Sequence, residues 1–269
     1  MKNTILSLAK KSLLSIASII FISILALSGF MSCASVPVVS FAKNKIRKDQ
    51  KPPIDAFAFI MTETSIMADK CLKTPRYKDC LEVIDYLPVI KKYGMGSGLL
   101  VRANSEPVIL TAAHVCLQQV GFYDKDGIKI ALKAVTVSKI RNSKGEILTT
   151  QIIKVDNHND LCALRPSKIF TKPVQWSKKE PTSGDKVYSI SAPLGINSPN
   201  MNLIFQGFYS GAREGWHHYS IPAVPGSSGS IVLDKNYRGV GMINAAYLNF
   251  NSISMGAGFF AIKKFLDAI

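Results

Sequence analysis

Three short segments of the sequence carry a histidine, an aspartate and a serine, in that order along the chain. His114 lies in Leu-Thr-Ala-Ala-His-Val-Cys, Asp160 in Asn-Asp-Leu-Cys-Ala-Leu, and Ser228 in Pro-Gly-Ser-Ser-Gly-Ser. A serine hydroxyl is a weak nucleophile at neutral pH and needs a neighbouring base to take its proton as it attacks a carbonyl. A histidine supplies that base, and an aspartate holds the imidazole in the right tautomer. The three residues therefore predict acyl-transfer chemistry at Ser228.

Two glycines flank the predicted nucleophile. Gly226 and Gly229 permit a tight turn, because glycine adopts backbone conformations that other residues avoid. In such a turn the backbone N–H groups of Gly226 and Ser228 both point at the negative oxygen that forms during acyl transfer. Losing one donor of this kind typically slows a reaction by about 100- to 1,000-fold. The segment thus predicts an oxyanion hole beside Ser228.

Other residues in the same segments compete for these roles. Asp156 is a rival acid, although no apolar strand follows it directly, and Ser227 and Ser230 are alternative hydroxyls. Each segment alone also has a plain structural interpretation, such as a buried histidine or a turn capped by an aspartate. The three segments occur together in one chain, in the order histidine, aspartate, serine, and this combination favours catalysis.

The elements that must position these residues are predicted to be strands. From residue 96 onward, short β segments alternate with turn residues, which is typical of an all-β barrel or sandwich. Residues 54–92 are mixed: 56–60 resemble a strand, and 80–90 a helix or a strand. At the other end we expect a strand over 258–262 and a short helix over 263–269. No further domain is expected after it.

The N-terminus has the sequence pattern of an export segment. Residues 12–42 contain no charged residue, and Lys2, Lys10 and Lys11 precede them. This pattern predicts a signal peptide or an uncleaved membrane anchor over residues 1–42, with lipid attachment at Cys33 as a third option. A basic, polar linker over 43–53 follows, and then the folded domain, 54–269. The folded part is therefore expected to be periplasmic, membrane-anchored or secreted.

Composition restricts the partners. The net charge is +15 and 47% of the residues are hydrophobic, so a sizeable core is expected. A basic balance of this size suits anionic surfaces, but no nucleic-acid-binding motif accompanies it, and we expect no nucleic-acid partner. No close-spaced set of metal ligands is present, so neither a metal nor a cofactor is expected.

The cysteines predict two disulfides. Four remain after Cys33, namely Cys71, Cys80, Cys116 and Cys162. An even number in an exported chain suggests paired cysteines, and four allow three pairings. We favour Cys71–Cys80, which closes a short loop, and Cys116–Cys162, because each of these two cysteines lies two residues after a predicted catalytic residue. The alternative is buried free thiols.

Over residues 94–269 the sequence resembles the trypsin-like serine peptidases, and among them the bacterial HtrA-like and glutamyl-endopeptidase-like branches. The motifs are Gly96–Val101, Thr111–His114, Asp160–Leu164, Val187–Gly195 and Gly226–Ser230, and Gln206–Ser210, Gly241–Asn244 and Phe259–Ile262 are similar to later strands. The resemblance implies two packed antiparallel six-stranded β-barrels, about 54–170 and 171–269, with the active site between them.

The resemblance also implies where a substrate binds. An extended peptide would pair with residues 242–246, that is Met242, Ile243, Asn244, Ala245 and Ala246. Pro222 stands where trypsin carries the acid of its specificity pocket, so we expect a small or apolar residue at the cleavage position. Ser227 replaces the aspartate that precedes the nucleophile in digestive relatives, and no N-terminus for their activation mechanism is present.

Three functions fit these observations. The first is an exported serine endopeptidase acting on polypeptides. The second is a trypsin-like fold that binds peptides or partners without cleaving them. The third is an esterase on the same triad, which the peptide-length β edge at 242–246 disfavours.

Overall fold

Two antiparallel β-sheets and three short helices make up the part of the chain that the computed structural model describes, residues 51–117, 120–247 and 249–269. The predicted export segment and residues 43–50 of the predicted linker lie outside this part. No helix among the described residues is long and apolar enough to cross a bilayer.

The first sheet closes into a barrel. Its strands are β1 (Phe57–Cys71), β2 (Ile90–Arg102), β3 (Pro107–Thr111), β4 (Phe122–Lys125), β5 (Ile128–Asn142), β6 (Ile147–Asp156) and β7 (Leu161–Pro166). They are ordered β1-β2-β3-β7-β6-β5-β4, and pairing of β1 with β5 closes a six-stranded barrel that leaves β4 outside. The predicted strand at 56–60 is therefore only the start of a much longer one.

The second sheet also has seven strands. They are β8 (Lys186–Ser191), β9 (Leu203–Arg213), β10 (Trp216–Tyr219), β11 (Ser230–Leu233), β12 (Gly239–Ile243), β13 (Ala245–Tyr247) and β14 (Phe250–Ala257), in the order β12-β11-β8-β9-β10-β14-β13. This sheet forms a half-barrel where a closed six-stranded barrel was expected. The two sheets together give the predicted all-β, chymotrypsin-like two-barrel architecture.

The three helices are α1 (Tyr77–Val83), α2 (Ala113–Cys116) and α3 (Phe259–Asp267). The last of these corrects the predicted strand at 258–262. Phe259, Ile262, Phe265 and Leu266 are all buried. Their spacing of three, three and one is that of a single helix face, so one amphipathic helix buries all four side chains against the barrels.

Apolar side chains of both sheets share one core. Leu100, Leu110 and Leu164 from the first sheet and Ile231 and Met242 from the second belong to the same buried cluster. The segment between β7 and β8 also bridges the two sheets through the backbone: Val174 donates to the Leu100 carbonyl of β2 over 2.9 Å, and Gly239 of β12 donates to the Gln175 carbonyl over 3.0 Å. The cleft between the sheets is thus bounded by a continuous core.

Two disulfides are present among the described residues, and both have the predicted pairing. Cys71–Cys80 ties the end of β1 to α1, and Cys116–Cys162 ties α2 to β7. Disulfides persist in oxidising compartments, so the pair is typical of an extracellular or periplasmic protein.

Candidate active site

His114 and Asp160 lie in contact on the first barrel. His114 sits on the single turn of α2, directly after β3, and Asp160 sits directly before β7, which pairs with β3. The Asp160 carboxylate binds His114 twice: Oδ1 accepts from the backbone N–H over 2.9 Å, and Oδ2 lies 2.8 Å from the ring Nδ1. This double contact fixes the ring orientation and leaves Nε2 as the nitrogen available to a reacting group.

The turn before β7 contains both candidate acids, Asp156 and Asp160, and gives their carboxylates different hydrogen-bond partners. Asp156 accepts hydrogen bonds from the backbone N–H groups of His158 and Asn159, at 2.9 and 3.1 Å, and from the Asn159 side chain. Its carboxylate therefore closes the turn. Asp160 follows with a positive φ of 53°, a conformation that aspartate tolerates better than most residues. Asp160, and not Asp156, is the acid that reaches His114.

Burial and hydrogen bonding act in opposite directions on Asp160. Partial burial raises the pKa of the carboxyl group. Hydrogen bonds from the His114 ring, the Asn244 side chain and the His114 backbone N–H lower that pKa by more, and its net value lies below the ordinary 3.8. The carboxylate is consequently ionised at neutral pH, as a partner of an imidazolium must be.

Ser228 lies across the cleft from His114, and both line the same cavity of about 470 Å³. The Ser228 hydroxyl donates to the backbone carbonyl of Asn244 over 3.2 Å. Within the described residues it makes no hydrogen bond to His114. Such bonds are often long or absent in a site without substrate. The alternative hydroxyls of Ser227 and Ser230 are buried, at 1% and 0% exposure.

The loop before Ser228 presents two unpaired donors. Within the described residues, the backbone N–H groups of Gly226 and Ser228 have no acceptor, while the N–H of Ser227 is bonded to the Val224 carbonyl over 2.9 Å. Gly226 has a φ of 95°, and a Cβ there would lie 2.4 Å from the Ala192 carbonyl oxygen. Only glycine fits this position. The two N–H groups without an acceptor stay candidates for the predicted oxyanion hole.

Ser97 of β2 supports this loop from the first barrel. Its hydroxyl donates to the Gly226 carbonyl over 2.8 Å and accepts from the Ala192 N–H over 2.9 Å. Its backbone N–H donates to the carbonyl of Ser228 over 2.8 Å. One buried serine therefore contacts both ends of the loop from Gly226 to Ser228. In the sequence, Ser97 belongs only to a strand motif, and no feature of its local sequence indicates this contact.

Asn244 links the second barrel to the acid. Its side-chain amide donates to the Asp160 carboxylate over 2.7 Å and to the Asp160 carbonyl over 2.8 Å, and its Oδ1 accepts from the Ala257 N–H. From its sequence, Asn244 is predicted only as part of the substrate-binding strand. The structure adds this contact with Asp160.

The structure places four of the predicted substrate-binding residues in the cleft lining and two outside it. Ile243, Asn244, Ala245 and Ala246 line the cleft. Met242 does not, because it is completely buried and pairs with Ile231 inside the sheet. Pro222 is exposed and also lies outside the cleft lining.

The walls beside Ser228 are formed instead by residues such as Ala223, Val224 and Asn251. Among the described residues that line the cleft, none is acidic and none is lysine or arginine. A charged side chain would find no ionic partner in these walls; the preference for a small or apolar residue at the cleavage position stays an expectation.

Residues 96–242 match the family model of the trypsin-like peptidase domain. The match covers more than half of the chain and includes His114, Asp160 and Ser228. The chain belongs to the family of trypsin-like peptidases. No curated protein matches it at a significant level.

Proposed function

We propose that the chain is an exported serine endopeptidase that hydrolyses peptide bonds through His114, Asp160 and Ser228. The double contact of Asp160 with His114, opposite Ser228 and its two free N–H donors, carries this proposal. Three observations support acyl transfer: Asp160 holds the base in one orientation, the Ser228 hydroxyl lines the same cavity, and the N–H groups of Gly226 and Ser228 lack an acceptor among the described residues.

The reaction would begin with rotation of the Ser228 hydroxyl from the Asn244 carbonyl towards His114. Oγ then attacks the substrate carbonyl while Nε2 of His114 takes its proton. The N–H groups of Gly226 and Ser228 bind the oxygen that becomes negative. His114 returns the proton to the leaving amine, and an acyl-enzyme remains on Ser228. A water molecule, activated by His114, hydrolyses this ester and restores the serine.

The acyl part of the substrate would pair with β13. In the sheet order β13 lies at an edge, so its outer side has no strand partner among the described residues. The strand runs outward from the catalytic centre, from Ala245 to Tyr247, and an antiparallel peptide would run inward to Ser228. Four of the five predicted substrate-strand residues line the cleft, which supports this placement for residues 243–246.

Export rests on two observations. The first is the uncharged segment over residues 12–42, and the second is the pair of disulfides. The domain limits, the mode of anchoring and the HtrA-like placement within the family stay predictions from sequence.

A second candidate is a trypsin-like fold that binds polypeptides without cleaving them. The bond of Ser228 Oγ to the Asn244 carbonyl favours it, because this bond turns the nucleophile away from its base.

Labelling with a fluorophosphonate tests both candidates. The purified protein and its Ser228→Ala variant are treated with the probe, and the modified residue is mapped by mass spectrometry. An active peptidase is labelled at Ser228 and the variant is not. A folded protein that takes up no label contradicts the proposed enzyme and supports the binding protein.

A further inference from the structure

The predicted catalytic residues of the first barrel lie at one of its ends, and the opposite end has no part in the proposed chemistry. Strand β3 begins at Pro107 and ends at Thr111, shortly before His114. Strand β7 begins directly after Asp160 and runs the other way, to Pro166. A strand of five residues, such as β3, is about 17 Å long. The opposite end therefore lies about that far from His114 and Asp160.

Four segments lie together at or near this opposite end, which we call the distal end. They are residues 51–56, 139–147, 167–172 and 197–201. The start of β1 pairs with the end of β5, so the first two segments are neighbours. Lys168 binds Glu146 over 2.8 Å, and Arg141 donates to Asn197 over 2.9 and 3.0 Å. These contacts join the segments into one surface.

Each segment of the distal end exposes one large apolar side chain. Ile147 is 60% exposed, Ile169 48%, Met201 40% and Ile54 38%. Exposed apolar side chains that lie near one another with polar residues around them are typical of contact surfaces.

The charges of the distal end are mainly positive. Its four segments carry six basic residues and two acids. One of the acids, Glu146, is bound to Lys168, whereas the exposed Lys51 and Lys144 make no ion pair within the described residues. The surface is therefore suited to an anionic partner. A second copy of the chain that docked by the same end would bring like charges together, which disfavours it.

The chain reaches the distal end from the predicted export segment. Residues 12–42 contain no charged residue, and eight residues, 43–50, separate them from Lys51. Four of these eight are basic and one is acidic. Eight extended residues span at most about 28 Å. If residues 12–42 stay in a membrane, as the predicted anchor requires, the distal end lies within about that distance of lipid.

We propose that the distal end rests on a bilayer that contains anionic phospholipids. Exposed lysines such as Lys51 and Lys144 bind headgroup phosphates, while Ile147 and Ile169 enter the boundary between headgroups and acyl chains. The end of the barrel that carries the predicted base and acid then lies about 17 Å or more from the surface, where polypeptides reach it. This placement does not depend on peptidase activity.

Quenching of an added tryptophan tests the contact. The chain of residues 1–269 is reconstituted into vesicles of equal parts phosphatidylcholine and phosphatidylglycerol, with or without bromine on the acyl chains. Bromine quenches a tryptophan that it contacts, and the signal of Trp176 and Trp216, measured on the wild-type protein, is subtracted. Because interfacial apolar side chains lie about 5–10 Å deep, we expect the fluorescence added by Ile147→Trp to fall by about half.

Tyr93→Trp is the matched control for position. Tyr93 is 75% exposed on β2, and Leu99, six residues further on, pairs with the first residue of β1. Tyr93 therefore lies about 20 Å along the strand from the distal end. Bromine should leave the fluorescence added by Tyr93→Trp unchanged.

Charge reversal tests the recognition of anionic lipid. Each lysine near an anionic surface contributes about fivefold, so Lys51→Glu with Lys144→Glu should weaken docking about 25-fold or more and remove most of the quenching of Ile147→Trp. Lys73→Glu with Lys78→Glu is the matched control. It makes the same change in net charge beyond the other end of β1, and it should keep the quenching.

Flotation of the vesicles makes each result decisive. If Ile147→Trp is not quenched in protein that floats with the vesicles, the proposal is wrong, and equal quenching of Tyr93→Trp also overturns it. Quenching that survives the reversal of Lys51 and Lys144 contradicts the binding of anionic lipid. Protein that does not float contradicts both the proposal and the predicted anchor.

A second copy of the chain is the remaining occupant. An unquenched Ile147→Trp, together with a dimer in detergent that Ile147→Glu converts to a monomer, would show that the distal end joins two copies instead. Thr149→Trp, exposed on the same strand, replaces Ile147→Trp should the latter fail to fold. Labelling of Ser228 on the same vesicles reports the peptidase site separately from all these results.

Discussion

Asn244 of the second barrel donates two hydrogen bonds to Asp160 of the first, at 2.7 Å to the carboxylate and 2.8 Å to the backbone carbonyl. The acid that orients His114 is therefore itself held from across the cleft. Because Asn244 is 4% exposed, water does not replace this contact readily when it is removed.

Asn244→Ala should lower kcat by about 10- to 100-fold, because the acid and the base lose part of their alignment. It should also lower the free energy of unfolding at pH 7 by about 2 kcal/mol, through the lost bond to a charged group. Peptide kinetics and urea unfolding measure the two effects. Unchanged kcat would show that Asp160 is held adequately without Asn244.

The stability effect of Asn244→Ala should depend on pH. The folded-state pKa of Asp160 lies below 3.8, so its ionic contacts stabilise the protein above that pH and are lost as the pH falls through the lowered pKa. The difference between wild type and variant should be largest at neutral pH and shrink below about pH 3.8. Urea unfolding at pH 7 and pH 3 checks this, and a difference that does not shrink would contradict it.

Asp160→Asn should leave a folded protein with kcat reduced by roughly 10,000-fold, because an amide does not stabilise the imidazolium and favours the wrong tautomer. Circular dichroism establishes folding and peptide kinetics the rate. Asp156→Asn is the matched control, since that carboxylate serves only a turn, and it should keep catalysis near the wild-type rate. Equal losses in the two variants would reopen the choice of acid.

Gly226→Ala should reduce kcat by about 100-fold or more, because the new methyl group collides with the Ala192 carbonyl and displaces an oxyanion donor. Gly184→Ala separates this effect from backbone strain. Gly184 has a comparable φ of 91°, but no atom lies within 4 Å of its Cβ position. The control should lose about 1 kcal/mol of stability and keep its activity. Similar kinetics for the two variants would argue against the assigned donor.

His217 should make the protein less stable as the pH falls below neutral. Burial lowers the pKa of its imidazole, more than the nearby Glu180 carboxylate raises it, while His218 lowers it further. The unfolded chain therefore binds a proton near pH 6.5 that the folded chain resists, and unfolding is favoured as the pH falls from there to the lowered value. Urea unfolding between pH 7 and pH 5 should show a shallower loss for His217→Gln than for wild type. Parallel curves would exclude this role.

Breaking Cys116–Cys162 with paired serine substitutions should lower the free energy of unfolding by about 4 kcal/mol, as expected for a closed loop of this length. Cys116 and Cys162 flank His114 and Asp160, so kcat should fall as well. Cys71→Ser with Cys80→Ser provides the comparison, since that shorter loop joins the end of β1 to α1 and contains no predicted catalytic residue. Thermal unfolding under non-reducing conditions measures both variants.

The predictions that succeeded rest on local sequence. The pairing of Cys116 with Cys162 was predicted because each cysteine lies two residues after His114 or Asp160, and the structure has this disulfide. It also has Asp160 in contact with His114; the catalytic roles of these two residues stay predictions. Each of these inferences needs only a few neighbouring residues and their order along the chain.

The predictions that failed depend on contacts between distant segments. Phe259–Ile262 is a short apolar run, and such a run suits a strand as well as a buried helix; the surface it packs against decides. The length of β1 is set by its pairing with β2 and β5, which local pattern does not reveal. The contacts of Ser97 with Gly226 and of Asn244 with Asp160 join residues more than 80 positions apart.

Ser97 belongs to the first barrel, yet the oxyanion loop that it holds belongs to the second. A chain in which only one barrel has folded therefore lacks either the base or the anchored donors, and it has no complete catalytic centre. On the proposed function, peptide cleavage would therefore require both barrels to be folded and docked, and a partly folded chain would be inactive.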